Sequence, residues 1–214
     1  MNWLISYPRS GSTYFRYCIE FVTKFPTIGY FYDYKNIDYP IGSLIDLGVS
    51  LQKFPILVKR HEFSDIKNNH DIIVLIIRNP YEAIIRHHLS CDKKNLDDQI
   101  DYYFNILNQF DLCENKKIFI YYEDIVRDLN TQILKILNFL NENINQDNLK
   151  SLLDNQDFHR KQAISLYEKY QAPSLTKGNS LIYHLKKYDR EYNFIKNKIS
   201  NYSLNDKYLW SYYD

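Results

Sequence analysis

The chain has 214 residues, of which 45% are hydrophobic, a size that supports one well-cored domain and leaves little room for a second. Its 27 Lys and Arg against 26 Asp and Glu give a net charge of +1, so no overall charge attracts it to nucleic acid or to an anionic membrane. The three cysteines are widely spaced and lack the spacing of a zinc or redox motif, which favours reduced thiols in a cytoplasmic protein.

No targeting or membrane segment is expected in this chain. The first motif follows Met-Asn-Trp-Leu-Ile-Ser directly, without the charged region and the apolar core that a signal peptide needs. The longest apolar run, Ile72 to Ile77, has the length of a strand and is far shorter than the roughly 20 apolar residues of a membrane span. We therefore expect a cytoplasmic protein that has no membrane or nucleic-acid partner.

Short apolar segments that are typical of buried parallel strands alternate with helical patterns along the chain. Strands are predicted, in order, at Trp3 to Ser6, Ile56 to Lys59, Ile72 to Ile77 and Ile118 to Tyr122. Apolar repeats at helical spacing occur at 15–22, 97–110 and 131–140. Another helix is predicted where Asn79, Pro80 and Glu82 fit the N-cap, first and third positions. The alternation predicts an α/β fold, with residues 1–214 as a single domain built on a central parallel β-sheet flanked by helices.

The segment from Ser6 to Tyr14, Ser-Tyr-Pro-Arg-Ser-Gly-Ser-Thr-Tyr, links the first predicted strand to its helix. Its small residues let backbone amides turn toward an anion, the helix N-terminus adds partial positive charge, and Arg9 adds a full charge. These features indicate a phosphate-binding loop, although a plain strand-to-helix turn would have the same outline. The loop lacks the Gly-Lys-Ser/Thr of a Walker A motif, which disfavours ordinary ATP hydrolysis.

The second predicted strand ends at Lys59 and is followed by His61. Side chains two positions apart on a strand project to the same side, so an ammonium and an imidazole can share one site there. Imidazole is suited to accept a proton because its ordinary pKa of roughly 6.5 leaves much of it neutral at physiological pH. His87 and His88 are the alternative bases, but they are predicted in a helix, where packing or solvent contact is the usual role.

Arg78 follows the third predicted strand and precedes the helix that starts at Asn79. A guanidinium at a strand end, beside a helix N-terminus, suits a dianionic phosphate, although a surface arginine before a capped helix is the plainer interpretation. Arg86 lies eight positions further on, and it is either a second charged ligand or part of a solvated helix face.

Together these motifs resemble the sulfotransferases that use 3′-phosphoadenosine 5′-phosphosulfate (PAPS), whose phosphate-binding loop reads Tyr-Pro-Lys-Ser-Gly-Thr-Thr-Trp. The resemblance implies a P-loop NTPase-like sulfotransferase fold. It also implies that Arg9 takes the position of the lysine that touches the sulfuryl group, and that Tyr14 replaces the tryptophan stacked on adenine. The 5′-phosphate would be cradled by the four residues between them, Ser10, Gly11, Ser12 and Thr13.

The other motifs resemble further parts of the same family. Leu57 to Glu62 is similar to its Lys-Thr-His segment, which implies that His61 is the general base and Lys59 an electrostatic stabiliser. The Arg78 motif is similar to Arg-Asn-Pro-Lys-Asp, which binds the 3′-phosphate, and Arg86 stands where the family has a phosphate-binding serine. The segment from Ile120 to Ile125 is similar to the family's Tyr-Glu-Asp-Leu strand, which implies that Tyr122 approaches the adenine.

Three more assignments follow from the resemblance. Phe158 corresponds to an adenine-packing phenylalanine, and Thr176, Lys177 and Gly178 to an Arg-Lys-Gly loop that closes over the 3′-phosphate. The Gly-x-x-Gly-x-Trp that follows this loop in the family is missing here, so Lys177 is equally a solvated loop lysine. The aromatic segment 28–34, which includes Tyr30 and Tyr32, is the candidate wall of the acceptor site, or else strand and core packing.

The implied reaction is an in-line displacement from PAPS to the hydroxyl of a small molecule or glycan, with adenosine 3′,5′-bisphosphate (PAP) as product and without a metal. The oligomeric state is left open. Two alternatives stay open as well. One is a non-catalytic PAPS- or PAP-binding protein of the same descent, which Arg9, Arg86 and the missing Gly-x-x-Gly-x-Trp favour. The other is a P-loop small-molecule kinase, which the absent Walker A lysine disfavours.

Overall fold

The computed structural model describes residues 1–29, 54–90, 95–171 and 188–200, together with Tyr202 and Tyr208. In the stretch that ends at 171, side chains are described up to Ser165. The positions predicted for the 3′-phosphate loop, Lys177 and Gly178, lie outside the described residues, as do Tyr30 and Tyr32 of the predicted acceptor wall.

Five parallel strands form one sheet in the order β2-β3-β1-β4-β5. The strands are β1 Asn2–Ser6, β2 Thr27–Ile28, β3 Leu57–Arg60, β4 Ile72–Ile77 and β5 Lys116–Tyr121. The four predicted strands are confirmed to within two residues at each end. The strand β2 was not predicted, because two residues are too short for an apolar run to stand out.

Helices cover both faces of the sheet, and the predicted α/β fold is confirmed. The helices are α1 Ser12–Thr23, α2 Pro80–Ser90, α3 Leu96–Leu112, α4 Tyr122–Arg127, α5 Leu129–Leu140, α6 Gln146–Asp154, α7 Gln156–Gln171 and α8 Asp189–Ile199. None of these helices, within the described part of the chain, is long and apolar enough to cross a membrane. The single domain over 1–214 and the cytoplasmic location stay predictions.

The core consists of two layers, one on each face, because successive side chains of a strand point to opposite sides. Leu4, Val74 and Ile76 pack with buried residues of α1, α5 and α6. Ile5, Leu75 and their neighbours on the same face pack with α2 and α3. The central strands are therefore buried on both faces, as their continuous apolar runs predicted.

The start of α2 is fixed by its cap. The side-chain oxygen of Asn79 accepts hydrogen bonds from the backbone N–H groups of Tyr81 and Glu82, at 3.0 and 3.3 Å. The proline that follows Asn79 lacks an N–H, so the first helical position leaves no donor without a partner. This confirms the predicted helix start and sets the direction in which α2 leaves the strand β4.

The carboxyl ends of the parallel strands meet at one edge of the sheet. Register places Leu4 beside Lys59, Ser6 beside Ile76, and Ile77 beside Tyr121. The loops that follow β1, β3, β4 and β5 therefore leave the sheet side by side. In open α/β sheets this edge is where ligands bind, so the four predicted motifs converge on the expected surface.

Candidate functional site

The loop between β1 and α1 has the backbone of an anion cradle. Arg9 and Gly11 have positive φ values of 68° and 81°, and Ser10 donates its N–H to the Tyr7 carbonyl at 3.3 Å. The helix α1 begins at Ser12 without a side-chain cap from Gly11, so its first amides point toward any ligand of the loop. Ser10 is buried, and its hydroxyl has no hydrogen-bond partner among the described residues.

Gly11 is required by a close approach. A Cβ atom added to it would lie 2.2 Å from Cδ2 and 2.3 Å from Cε2 of the Tyr122 ring. Tyr122 is the first residue of α4, and its ring packs directly on the loop, although Gly11 and Tyr122 are far apart in the chain. The glycine therefore serves both the left-handed backbone and the contact with Tyr122.

Gly11→Ala is expected to weaken PAP binding at least tenfold and to lower the temperature of unfolding. The left-handed backbone costs a residue with a Cβ about 1–2 kcal/mol, and the Tyr122 ring has to move as well. Titration calorimetry and thermal unfolding measure the two effects. Gly11→Ala combined with Tyr122→Ala should recover part of the loss in unfolding temperature by removing the clash. Wild-type affinity in the single variant would show that the loop does not hold the ligand.

Arg78 joins the loop, α2 and α4. Its Nη1 donates to the Arg9 carbonyl oxygen at 2.8 Å, its Nη2 donates to Oε2 of Glu82 at 3.1 Å, and its guanidinium lies 4.2 Å from the centre of the Tyr122 ring. The side chain is buried, which lowers its pKa from the ordinary value. Its Nε has no hydrogen-bond partner among the described residues.

Glu82 brings Arg86 to the same place. The buried Oε2 atom of Glu82 accepts from Nη2 of Arg78 at 3.1 Å and from Nε of Arg86 at 2.9 Å. One carboxylate thus holds two guanidiniums side by side and leaves a net positive charge. Such an arrangement suits a dianion, because the pair neutralises it while the carboxylate limits repulsion between the arginines. That either arginine binds a phosphate stays a prediction.

His61 is oriented by the strand β1. Its Nδ1 lies 2.6 Å from the Ser6 carbonyl oxygen, and a carbonyl can only accept, so Nδ1 carries the hydrogen. The other ring nitrogen, Nε2, then has the lone pair that can take a proton. Burial, followed by the charge of Lys59, lowers the pKa of His61 well below its ordinary value. The imidazole is therefore neutral throughout the physiological pH range.

Lys59 lies among other cations. Burial is the main cause that lowers the pKa of its ammonium to about 7, and the charges of Arg16 and Arg9 act in the same direction. An incoming anion would reverse this effect by stabilising the charged form. Lys59, His61 and Arg9 are thus brought together beside the loop, and their roles in the reaction stay predictions.

Arg16 was missed in the sequence. It is buried on α1, donates from Nε to the Thr27 hydroxyl at 2.7 Å, and lies 3.9 Å from the buried Glu20 carboxylate. The signal that could have revealed it is an Arg–Glu pair at i, i+4 among apolar helix positions, where charges are costly unless paired. Arg16 ties β2 to α1 beside Lys59.

Tyr14 borders a small cavity. It measures about 40 Å³ and is lined by Tyr14, Ile125, Val126, Gln156, Asp157 and Arg160. Tyr14 is partly buried, and burial is the main cause that raises its pKa. Phe158, the predicted adenine-packing residue, is 56% exposed on α7, and its ring contacts that of His159 at 5.4 Å. Its role stays a prediction.

The described residues contain no group of three or more His, Cys, Asp or Glu side chains that could hold a metal ion. The site instead collects cations, with arginines and a lysine from four separate segments. The expectation of a reaction without a metal stays a prediction.

No protein-family model matches the sequence, and no curated protein matches it either. Solved structures do match. Retinol dehydratase in complex with retinol and PAP has 17% sequence identity and a TM-score of 0.58, over 95% of this chain and 82% of that one. Mouse sulfotransferase SULT7A1 in complex with PAP has 16% identity and a TM-score of 0.53, over 94% of this chain and 84% of that one. The chain therefore has the fold of the sulfotransferases, as its motifs predicted.

Proposed function

We propose that this protein is a PAPS-dependent sulfotransferase that transfers a sulfuryl group to an acceptor hydroxyl and releases PAP. The observation that carries the proposal is the position of His61. Its Nδ1 is engaged by the Ser6 carbonyl, and it lies with Lys59 and Arg9 beside an anion-binding loop. A proton acceptor next to several cations is what transfer of an anionic group from a phosphate donor requires.

The loop and its surroundings fit the donor. The buried Ser10 hydroxyl and the buried Arg78 Nε are donors without a partner among the described residues, and phosphate oxygens can only accept. The loop and the start of α1 would hold the 5′-phosphosulfate, Arg78 and Arg86 the 3′-phosphate, and Tyr14 and Tyr122 the adenine. The proteins of similar fold that were crystallised with PAP support this assignment.

In the proposed reaction His61 Nε2 takes the proton of the acceptor hydroxyl. The acceptor oxygen forms its bond to sulfur while the bond from sulfur to the 5′-phosphate oxygen breaks, and the electron pair leaves with PAP. Lys59, Arg9 and the loop amides face the charge that builds on the leaving oxygen. Because these groups are held in place before the reaction, they stabilise the transition state without reorganising.

A small-molecule hydroxyl is the first acceptor class to test. Retinol dehydratase, one of the proteins of similar fold, was crystallised with retinol and also with androsterone. A glycan hydroxyl is the second acceptor class to test, because the family resemblance implies either a small molecule or a glycan as acceptor.

A second candidate function is PAP binding without transfer. Arg9 stands where the family has a lysine, and its Nε donates to the Ser90 hydroxyl on α2 at 3.2 Å. A guanidinium held in this way is a planar fork with less freedom than an ammonium to follow the leaving oxygen. This observation favours a binding protein in which the donor is held but not used.

One experiment separates these functions. Titration calorimetry with PAPS, PAP and Mg²⁺-ATP is combined with a screen of phenol, sterol, sugar and peptide acceptors using radiolabelled PAPS. Binding of PAPS with labelled product supports the transferase, and binding without product from any acceptor supports the binding protein. Binding of Mg²⁺-ATP in preference to PAPS would contradict both and favour the kinase.

The value of kcat/KM, which reports the pKa values of the free enzyme, is expected to be high only over a narrow pH range. Activity needs neutral His61, whose lowered pKa keeps it neutral to well below pH 6.5, and charged Lys59, which loses its proton as pH rises through about 7. The value of kcat/KM for PAPS should therefore fall on the alkaline side near pH 7. The limb in kcat should lie higher, because the bound donor's negative charge raises the pKa of Lys59.

Lys59→Arg is the matched control for this profile. A guanidinium stays charged at every assay pH, so the alkaline limb of kcat/KM should disappear even if the rate is lower. An unchanged alkaline limb in Lys59→Arg would assign that limb to another group.

A further inference from the structure

We propose that Arg160, on α7, is a further donor-binding residue that contacts the adenine base. This assignment rests on the proposed function and adds to it a residue that no motif of the sequence singled out. It also differs from what the family resemblance implies, which is that Phe158 is the residue of this segment that packs on the adenine.

Arg160 reaches both candidate adenine residues from α7. Its Nη2 lies 3.4 Å from the Tyr122 hydroxyl, and its guanidinium lies 5.9 Å from the centre of the Tyr14 ring. Tyr14 and Arg160 also line the same cavity of about 40 Å³. An adenine that stacks on Tyr14 would therefore have a guanidinium at its edge.

Tyr122 connects this arrangement to the phosphate end. One part of its ring packs against Gly11 and the Arg78 guanidinium, while its hydroxyl meets Arg160. Arg160 is thus separated by a single aromatic side chain from two residues assigned to the phosphates. This separation matches the layout of a nucleotide, in which the base lies next to the sugar and its phosphates.

The bonding of Arg160 leaves it available to a ligand. A guanidinium has five N–H donors, and the hydrogen bond to Tyr122 is the one that Arg160 makes among the described residues. It forms no ion pair with any described carboxylate, although Asp157 lies one turn earlier on α7 and lines the same cavity. Ring nitrogens of adenine are acceptors, and a planar guanidinium can bond them or stack on the base.

Phe158 and Arg160 cannot both face Tyr14 from a regular helix. Two positions correspond to a rotation of about 200°, so their side chains point to nearly opposite sides of α7. Phe158 is 56% exposed, and its ring contact is with His159, whereas Arg160 is partly buried against the two tyrosines. The orientation of α7 therefore favours Arg160, and not Phe158, as the residue of this helix that contacts the adenine base.

The test compares two bisphosphates that differ only in the base. Titration calorimetry measures the affinity of PAP and of ribose 3,5-bisphosphate for the wild type, Arg160→Ala and Lys161→Ala. Arg160→Ala is expected to weaken PAP roughly tenfold and to leave the affinity for ribose 3,5-bisphosphate unchanged, because one charge-assisted contact is lost. Lys161 is the next residue of α7 and is exposed. Lys161→Ala removes the same charge at a position away from the cavity, so its affinities for both ligands should match those of the wild type.

Several results would overturn the assignment. Equal weakening of both ligands by Arg160→Ala would place its effect at the phosphates or on folding, and a base-selective loss in Phe158→Ala alone would return the role to Phe158. If Arg160→Ala does not fold, Arg160→Lys keeps the charge without the planar fork, and unchanged PAP affinity there contradicts the proposal. A wild type that binds neither ligand would refute the proposed function itself, whereas base-selective binding retained by Arg160→Ala refutes only this assignment.

Discussion

Replacing His61 with alanine is expected to lower the rate of sulfuryl transfer by about 10²–10⁴-fold, the usual contribution of a positioned general base. PAP affinity and folding should change little, because His61 is half-buried at a strand end and its Nδ1 donates to a backbone carbonyl, that of Ser6. The rate is measured with radiolabelled PAPS and an alcohol acceptor, the affinity by calorimetry, and folding by thermal unfolding.

The deficit of His61→Ala should shrink as the acceptor becomes more acidic. A phenol that is already ionised at the assay pH has no proton for the base to remove, so its transfer should be nearly independent of His61. His70→Ala is the matched control, since His70 is exposed before β4 and should retain full activity.

Wild-type turnover of a high-pKa alcohol by His61→Ala would show that another group is the base. His87 would then be tested first, because its ring lies 5.3 Å from that of Tyr7, in the loop that follows β1. Failure of His61→Ala to fold is addressed by His61→Gln. That variant can still donate to the Ser6 carbonyl but cannot take the proton, so retained turnover in it would likewise contradict the role.

Arg78→Ala is expected to weaken PAP binding by roughly 10–150-fold, while the affinity for adenosine 5′-phosphate falls much less. The buried guanidinium makes a charge-assisted contact with the 3′-phosphate in the proposed complex, and adenosine 5′-phosphate has no such group. Titration of both ligands against the wild type and the variant measures the difference. Arg127→Ala, which removes an exposed arginine on α4, should leave both affinities unchanged.

Arg78 also holds the loop through the Arg9 carbonyl, so its removal could act on the backbone instead of the ligand. In that case both ligands would weaken equally, and Arg78 would not recognise the 3′-phosphate. Arg78→Lys provides a second measurement, because it keeps the charge near the phosphate but cannot hold Arg9 and Glu82 together with a planar fork. A selective loss of PAP affinity in Arg78→Ala that Arg78→Lys partly restores would support the assignment, and equal weakening of both ligands in both variants would contradict it.

Local patterns were sufficient for most of the fold. The apolar runs of β1, β3, β4 and β5 predicted buried parallel strands, and Asn79 with Pro80 predicted the start of α2, because burial and capping are encoded in neighbouring residues. Tyr122 was expected at the end of a strand but begins α4. The strand β5 ends at Tyr121 and α4 begins at the next residue, so local propensity cannot locate the boundary between them.

The main features of the site were also visible in the sequence, since a parallel sheet brings its strand ends to one edge wherever they lie in the chain. His61, Arg9 and Arg78 were singled out by their positions after strands, and Lys59 by its position at a strand end, and their roles stay predictions. The sequence did not show which ring nitrogen of His61 carries the hydrogen, because that depends on the Ser6 carbonyl of a neighbouring strand.

The sequence by itself therefore determined the fold class, the loop that joins β1 to α1 and the residues that follow each strand, because those depend on local periodicity and on the geometry of parallel strands. Only the tertiary structure decided that Glu82 holds Arg86 beside Arg78, that Arg16 is buried against Thr27, and that Arg160 meets Tyr122. Side-chain direction on a helix depends on how the helix docks. For the pairing of Arg160 with Tyr122, that docking joins residues 38 positions apart, which no short motif records.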